Sequence, residues 1–173
     1  MEKLIEYAIF STKWGYFGLA GSEKGLLQTS LPGPGYEEIK GRLLANCPLA
    51  QFNPSFFKQI QDQIAAYFAG APADFGLEIP LDLTELTPFQ IAVLTACRRV
   101  KRGQTITYGQ LAEKIGKLNA ARAVGSALAK NPIPLLIPCH RILAANNKLG
   151  GFSAPGGTSL KRRMLRLEQA FTQ

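Results

Sequence analysis

The sequence predicts an α+β fold in two parts: an antiparallel meander with helices over residues 1–82, and a mostly helical part with a helix-turn-helix over residues 83–173. Three observations carry this prediction. Residues 4–31 are rich in β-branched and aromatic side chains and are punctuated by turn-forming clusters. Residues 87–129 hold three helix starts with short spacing between them. The charge also changes sign along the chain. Residues 1–87 carry 6 basic and 10 acidic side chains, whereas residues 88–173 carry 14 and 2, which yields the overall +8. With 173 residues, 46% of them hydrophobic and 18% charged, the chain can bury a sizeable core and folds as a globule rather than remaining disordered.

The strands come first. Ser11-Thr12-Lys13 and Gly21-Ser22-Glu23-Lys24-Gly25 break the apolar run into a meander that Pro32-Gly33-Pro34-Gly35 closes. A short helix follows around Glu37 to Ala45, with Ile39, Leu43 and Leu44 on one face. A longer one is expected from Pro54 to Ala69, with Asn53 as N-cap, Pro54 in the first helical position and Gly70 beyond the end. Phe75 to Leu83 reads as an extended linker and as the domain boundary.

The second part opens on Thr87-Pro88-Phe89-Gln90, an N-cap Thr with an N3 Gln in capping-box order, and its helix should run to about Arg99. Thr107-Tyr108-Gly109-Gln110 repeats that spacing, with Leu111, Ala112 and Ile115 facing inward until Gly116 stops the helix. Asn119 is placed to cap a third helix over Ala120 to Ala129. Two short helices joined by a Gly-containing turn have the helix-turn-helix pattern. The second of them is Ala120-Ala121-Arg122-Ala123-Val124-Gly125-Ser126-Ala127, one long polar side chain among small ones. Base edges are usually read by several long donors and acceptors, so this helix suits close backbone approach better than sequence readout. Plain helix packing with a solvated Arg122 is the other reading.

Composition excludes much chemistry. A single His and three dispersed Cys cannot build a multi-histidine metal site, a zinc ribbon or an even disulfide framework, and no metal is expected; no cofactor is expected either. No stretch has the length of a membrane span and Met1-Glu2-Lys3-Leu4 lacks a secretory pattern, so an intracellular, cytoplasmic protein is expected. The basic second half points to a polyanion, with nucleic acid ahead of a membrane surface. Cys47 and Cys97 read as structural thiols.

Cys139 reads differently. In Pro132-Ile133-Pro134-Leu135-Leu136-Ile137-Pro138-Cys139-His140-Arg141-Ile142, three prolines impose an extended, buried course that ends on a thiol. The only His of the chain follows it as a base, and Arg141 adds a positive neighbour that favours thiolate. A redox-sensing DNA binder and a cysteine hydrolase both remain compatible with these residues alone.

Pro138-Cys139-His140-Arg141-Ile142 resembles the active-site motif of the O6-alkylguanine-DNA alkyltransferases, the methylated-DNA-protein-cysteine methyltransferases. Thr87-Pro88-Phe89-Gln90, Thr107-Tyr108-Gly109-Gln110-Leu111-Ala112, Ala121-Arg122-Ala123-Val124-Gly125, Asn131-Pro132, Gly150-Gly151-Phe152-Ser153 and Leu165-Arg166-Leu167-Glu168 extend the resemblance over the second half in family order. The resemblance implies a ribonuclease H-like first domain and a monomer acting on double-stranded DNA that carries O6-alkylguanine, and leaves activity on O4-methylthymine open. It implies that Cys139 accepts the alkyl group, that His140 takes the thiol proton through a water, that Glu168 orients His140 and that Asn131 braces the turn. It also implies that Arg122 fills the gap left by the extruded base, while Ala120, Ala121 and Gly125 approach the minor groove. The same resemblance has Tyr108 helping to turn the nucleotide out and protonating guanine, Ser153 donating to O6, and Ile142 and Phe152 completing the pocket. Phe152 departs from the human member, which has Tyr there, and Ser153-Ala154-Pro155-Gly156-Gly157 is longer than in that member. The zinc ligands that some members carry in the first domain are missing, since no His lies there.

Overall fold

The computed structural model describes residues 3–170; Met1 and Glu2, which enter the reading of the chain start, lie outside them, as do residues 171–173. The fold is α+β, in two compact units. One runs up to Leu83 and includes Pro132–Pro134, and the other comprises Thr84–Asn131 and the chain from Leu135 onward.

In the first unit the strands Glu6–Thr12 (β1), Gly15–Ser22 (β2) and Gly25–Gly33 (β3) form the expected antiparallel meander. A two-residue strand, Gln51–Phe52 (β4), adds parallel to β1, giving the order β3-β2-β1-β4. Side chains alternate across a strand, so Tyr7, Ile9 and Ala20 share one face, and there they pack with Ile39 and Leu43 of helix α1 (Tyr36–Asn46). Gly18 lets that helix approach, because a Cβ there would lie 2.7 Å from both Ile39 and Leu43 side-chain atoms. On β2, Phe17 belongs to the opposite face, and its ring stands 6.0 Å from that of Phe68 on helix α2 (Lys58–Phe68). With both faces covered, β2 is buried almost continuously instead of alternately.

Helix α2 starts four residues later than its sequence suggests. Phe57 takes a left-handed backbone (φ 51) and Asn53 Oδ1 accepts from the Ser55 amide, so Asn53-Pro54 caps a turn rather than the helix. The segment read as an extended linker is tied to β3: Leu26 N donates to Pro80 O (2.9 Å) and Asp82 N to Leu26 O (2.8 Å), and buried Asp82 pairs with Lys3.

The second unit is mostly helical, with α3 (Pro88–Arg98), α4 (Tyr108–Lys114), α5 (Ala121–Ala129) and α6 (Gly157–Leu167). Both expected capping boxes are closed. Thr87 Oγ1 accepts from Gln90 N and Gln90 Oε1 from Thr87 N, and Thr107 and Gln110 repeat the exchange. Asn119 does not cap α5. It adopts φ 62 in the turn, and the N-cap position falls to Ala120, which has no side-chain acceptor to offer. The course into Cys139 is buried but not extended, because Leu135 sits at φ 79 and a 3₁₀ turn, Cys139–Arg141, ends it. Two short strands, Ile106–Thr107 (β5) and Ile142–Leu143 (β6), pair in parallel; the sequence reading names neither. That ladder fastens the start of α4 to the residues just past the cysteine. Among the described residues no helix is long and apolar enough to cross a membrane.

Candidate active site

A 3₁₀ turn has three residues per turn, so Cys139, His140 and Arg141 project about 120° apart. Adjacent in sequence, they therefore meet different partners. Cys139 enters the wall of a cavity of about 320 Å³, at the small end of ligand pockets and suited to a single base. Tyr108, Gly125 and Leu128 line it from the helix-turn-helix, and Gly151, Phe152 and Ser153 from the loop before α6.

His140 has no exposed surface, and its Nε2 lies 2.8 Å from Glu168 Oε1. An ionised carboxylate only accepts, so Nε2 carries the proton and Nδ1 keeps the lone pair. Nδ1 is buried and has no hydrogen-bond partner among the described residues. Burial holds the imidazole pKa below the ordinary histidine value, and Arg141 and Lys161 act in the same direction against the pull of Glu168. The ring is thus a neutral base at neutral pH.

Glu168 sits at the C-cap of α6 and is 4% exposed. Burial alone would raise its pKa, but its bonds to His140 and Arg141 outweigh that and hold the carboxyl well below the usual range. With His140 neutral, the guanidinium supplies the charge: Arg141 Nε reaches Glu168 Oε2 and its Nη2 reaches Oε1, both at 3.0 Å, while Nη1 donates to Val100 O at 2.6 Å. Arg141, read from the sequence as a positive neighbour of the thiol, thus binds Glu168 and Val100 O through its guanidinium.

Burial pushes the Cys139 thiol up, opposed by a hydrogen bond from Asn131, by the charge of Lys161 and by backbone amides. Asn131 Nδ2 also donates to Ile137 O at 2.9 Å, tying the two ends of the approach to the turn. Ser153 lies at the cavity with its hydroxyl donating to Ala129 O (2.9 Å), so in this state the proton expected for O6 is in use. Ile142 is fully buried behind the turn. On α5, Arg122 is exposed, Ala120, Ala121 and Gly125 are half-buried, and Gly125 also reaches the cavity. Cys97 is buried with its pKa pushed well up, chiefly by desolvation, and Cys47 is half-buried.

Lys161 escaped the sequence reading. The signal was available, since it interrupts the buried stripe Leu160, Met164 and Leu165 of α6.

Replacing Glu168 by Gln leaves Arg141 buried without its anion, which should cost about 3–5 kcal/mol in urea unfolding at pH 7. A carboxyl depressed in the folded state stabilises above its unfolded pKa of about 4.3 and loses that contribution as pH falls. The difference between wild type and Glu168→Gln should therefore shrink below that pH.

Residues 5–83 match the model of the 6-O-methylguanine DNA methyltransferase ribonuclease-like domain, and residues 88–170 that of the 6-O-methylguanine DNA methyltransferase DNA binding domain. A methylated-DNA-protein-cysteine methyltransferase of Methanosarcina acetivorans is 37% identical over 163 residues, 94% of this chain and 97% of its own. One from Mycolicibacterium paratuberculosis is 36% identical over 166 residues, 96% and 93% of the two chains. The crystal structure of Mycobacterium tuberculosis O6-methylguanine methyltransferase aligns with a TM-score of 0.77 at 34% identity, over 98% of this chain and 96% of that one. A second structure from that organism, in complex with DNA, aligns with a TM-score of 0.77 at 33% identity, over 95% and 93%. By both domains and nearly full-length similarity, the chain belongs to the 6-O-methylguanine DNA methyltransferase family.

Proposed function

We propose that the protein repairs O6-alkylguanine in duplex DNA by moving the alkyl group onto its own Cys139, once per molecule. The observation that carries this reading is a thiol in the wall of a base-sized cavity beside a neutral imidazole held by a buried carboxylate.

The thiol is protonated at rest, because burial raises its pKa, so it needs a base as it reacts. His140 Nδ1 takes the proton through one water. The sulfur attacks the alkyl carbon in line with the C–O6 bond, the S–C bond forms, and the C–O6 pair returns to the guanine ring. Tyr108 then protonates the ring. Its phenol pKa is raised, chiefly by burial, which keeps it protonated and able to donate at neutral pH. The products are unmodified guanine and a thioether that nothing in the site can cleave, which makes the reaction stoichiometric.

The reacting base lies within a duplex and has to be rotated out. Supporting this is the shared position of α5: it exposes Arg122 and also supplies Gly125 to the cavity, so one short helix serves the gap in the stack and the extruded base. The small Ala120, Ala121 and Gly125 permit close approach to the minor groove, and the +12 half supplies phosphate affinity. A monomer in the reducing interior of a cell suits a single acceptor thiol that has to stay reduced.

Incubation with duplex carrying O6-methylguanine should add one methyl to Cys139, read by intact and peptide mass. Cys139→Ser should take up none while still binding the duplex; methyl found on another residue would refute the assignment. Arg122→Ala should slow repair of duplex on the order of tenfold or more, while its reaction with free O6-benzylguanine changes little, because only the duplex requires extrusion. Equal losses on both substrates would remove Arg122 from that role.

A further inference from the structure

Lys161 has no exposed surface, and it lies on the face of α6 that buries Leu160, Met164 and Leu165. Its Nζ donates to Ile142 O at 2.6 Å and to Gly151 O at 3.2 Å, and stands 5.7 Å from the centroid of the Tyr108 ring. These three groups belong to three separate segments around the cavity. Ile142 follows the turn of Cys139, Gly151 opens the loop of Phe152 and Ser153, and Tyr108 opens α4. None of them is an anion. The buried carboxylate of this unit, Glu168, has its oxygens occupied by His140 and Arg141. With Arg141 and Lys161 positive, Glu168 negative and His140 neutral, the buried site carries one positive charge in excess, and a Cys139 thiolate balances it.

We propose that Lys161 is a positioning residue for the transfer: its ammonium joins the three segments that form the base pocket and supplies the positive charge that the Cys139 thiolate requires as it forms. The inference rests on Cys139 being the acceptor. A buried ammonium is costly, and carbonyl oxygens with an aromatic face compensate it only in part, which is the situation in which a nearby anion gains most. The mutual influence has the same sense: burial brings the Lys161 pKa down to about 8 while charge on Cys139 and then Cys97 raises it, and Lys161 in turn lowers that of Cys139.

The groups that bear on the thiol's titration are Cys97 of α3, Tyr108 of α4, His140 and Arg141 of the turn, and Lys161 and Glu168 of α6 and its cap. Lys161→Gln keeps a donor of similar reach and removes only the charge; Lys161→Met removes both. In each protein the pH profile of Cys139 alkylation by iodoacetamide is followed peptide by peptide, so that Cys47 and Cys97 are counted apart. Both variants should move the Cys139 midpoint up by about one pH unit, about tenfold less thiolate at a given pH, and slow methyl uptake from lesion duplex by a similar factor. Affinity for the lesion duplex should fall further in Lys161→Met, where the three segments lose their tie.

A measurement on wild type is independent of whether the variants fold. With ¹⁵N-labelled lysine, Lys161 should titrate at lower pH once Cys139 is methylated, because a thioether cannot ionise and so cannot help retain the ammonium proton as pH rises. An unchanged Lys161 titration, or a Lys161→Gln protein that matches wild type in profile and rate, overturns the proposal. Wild type that takes up no methyl at all would instead overturn the acceptor assignment on which it rests.

Discussion

The second unit depends on one carboxylate. Glu168 stands at the C-cap of α6, where the helix dipole disfavours an anion, and it is buried as well. Two partners offset both penalties. Arg141 supplies a full positive charge through two bonds, and His140 supplies the Nε2 proton. The consequence is chemical as well as structural. The imidazole is fixed in one tautomer with its free lone pair on Nδ1, and the guanidinium, by balancing Glu168, keeps the carboxylate from drawing a second proton onto the ring. A base that stays neutral at neutral pH is what a protonated thiol nearby requires. In the proposed reaction the logic is that of a catalytic triad, with Arg141 as the added counter-charge.

Placement of the groups proposed to react against one another comes from a very small piece of sheet. Ile106 pairs with Ile142 and Thr107 with Leu143, and Thr107 is also the N-cap of α4. The position of Tyr108 relative to Cys139 therefore follows from two residues of ladder and one capping box. Lys161 adds a third tie, from α6 to the strand and the loop. Few interactions are involved, but each is buried or local, and each fixes an angle as well as a distance. The charge asymmetry fits the same division: of the two acids in the +12 half, Glu168 is consumed inside and Glu113 alone is exposed.

What could be read from the sequence is what local chemistry decides. The meander was legible because its turns carry turn-forming residues, and the starts of α3 and α4 because a capping box is a contract between residues three apart. Asn53 and Asn119 offered the same kind of signal and failed. In one case Phe57 interrupts the helix at φ 51, and in the other Asn119 itself takes the left-handed turn position its residue type tolerates. The two-residue strands β4, β5 and β6 had no local signature, since pairing with a distant segment creates them. The direction of Arg141 was illegible for the same reason: its partner lies 27 residues away. Family motifs singled out Cys139 and His140 as the proposed acceptor and base, whereas Lys161 needed coordinates to show where its ammonium ends.

The central claim concerns the state of the imidazole, and the chain offers an unusually clean way to test it because it contains one His. A ¹⁵N chemical-shift titration of that ring in the native protein reports tautomer and protonation together, with no assignment problem. The account predicts the Nε2–H neutral form throughout the neutral range, with protonation only below the ordinary histidine pKa. An imidazolium at pH 7, or a neutral ring carrying its proton on Nδ1, would contradict it.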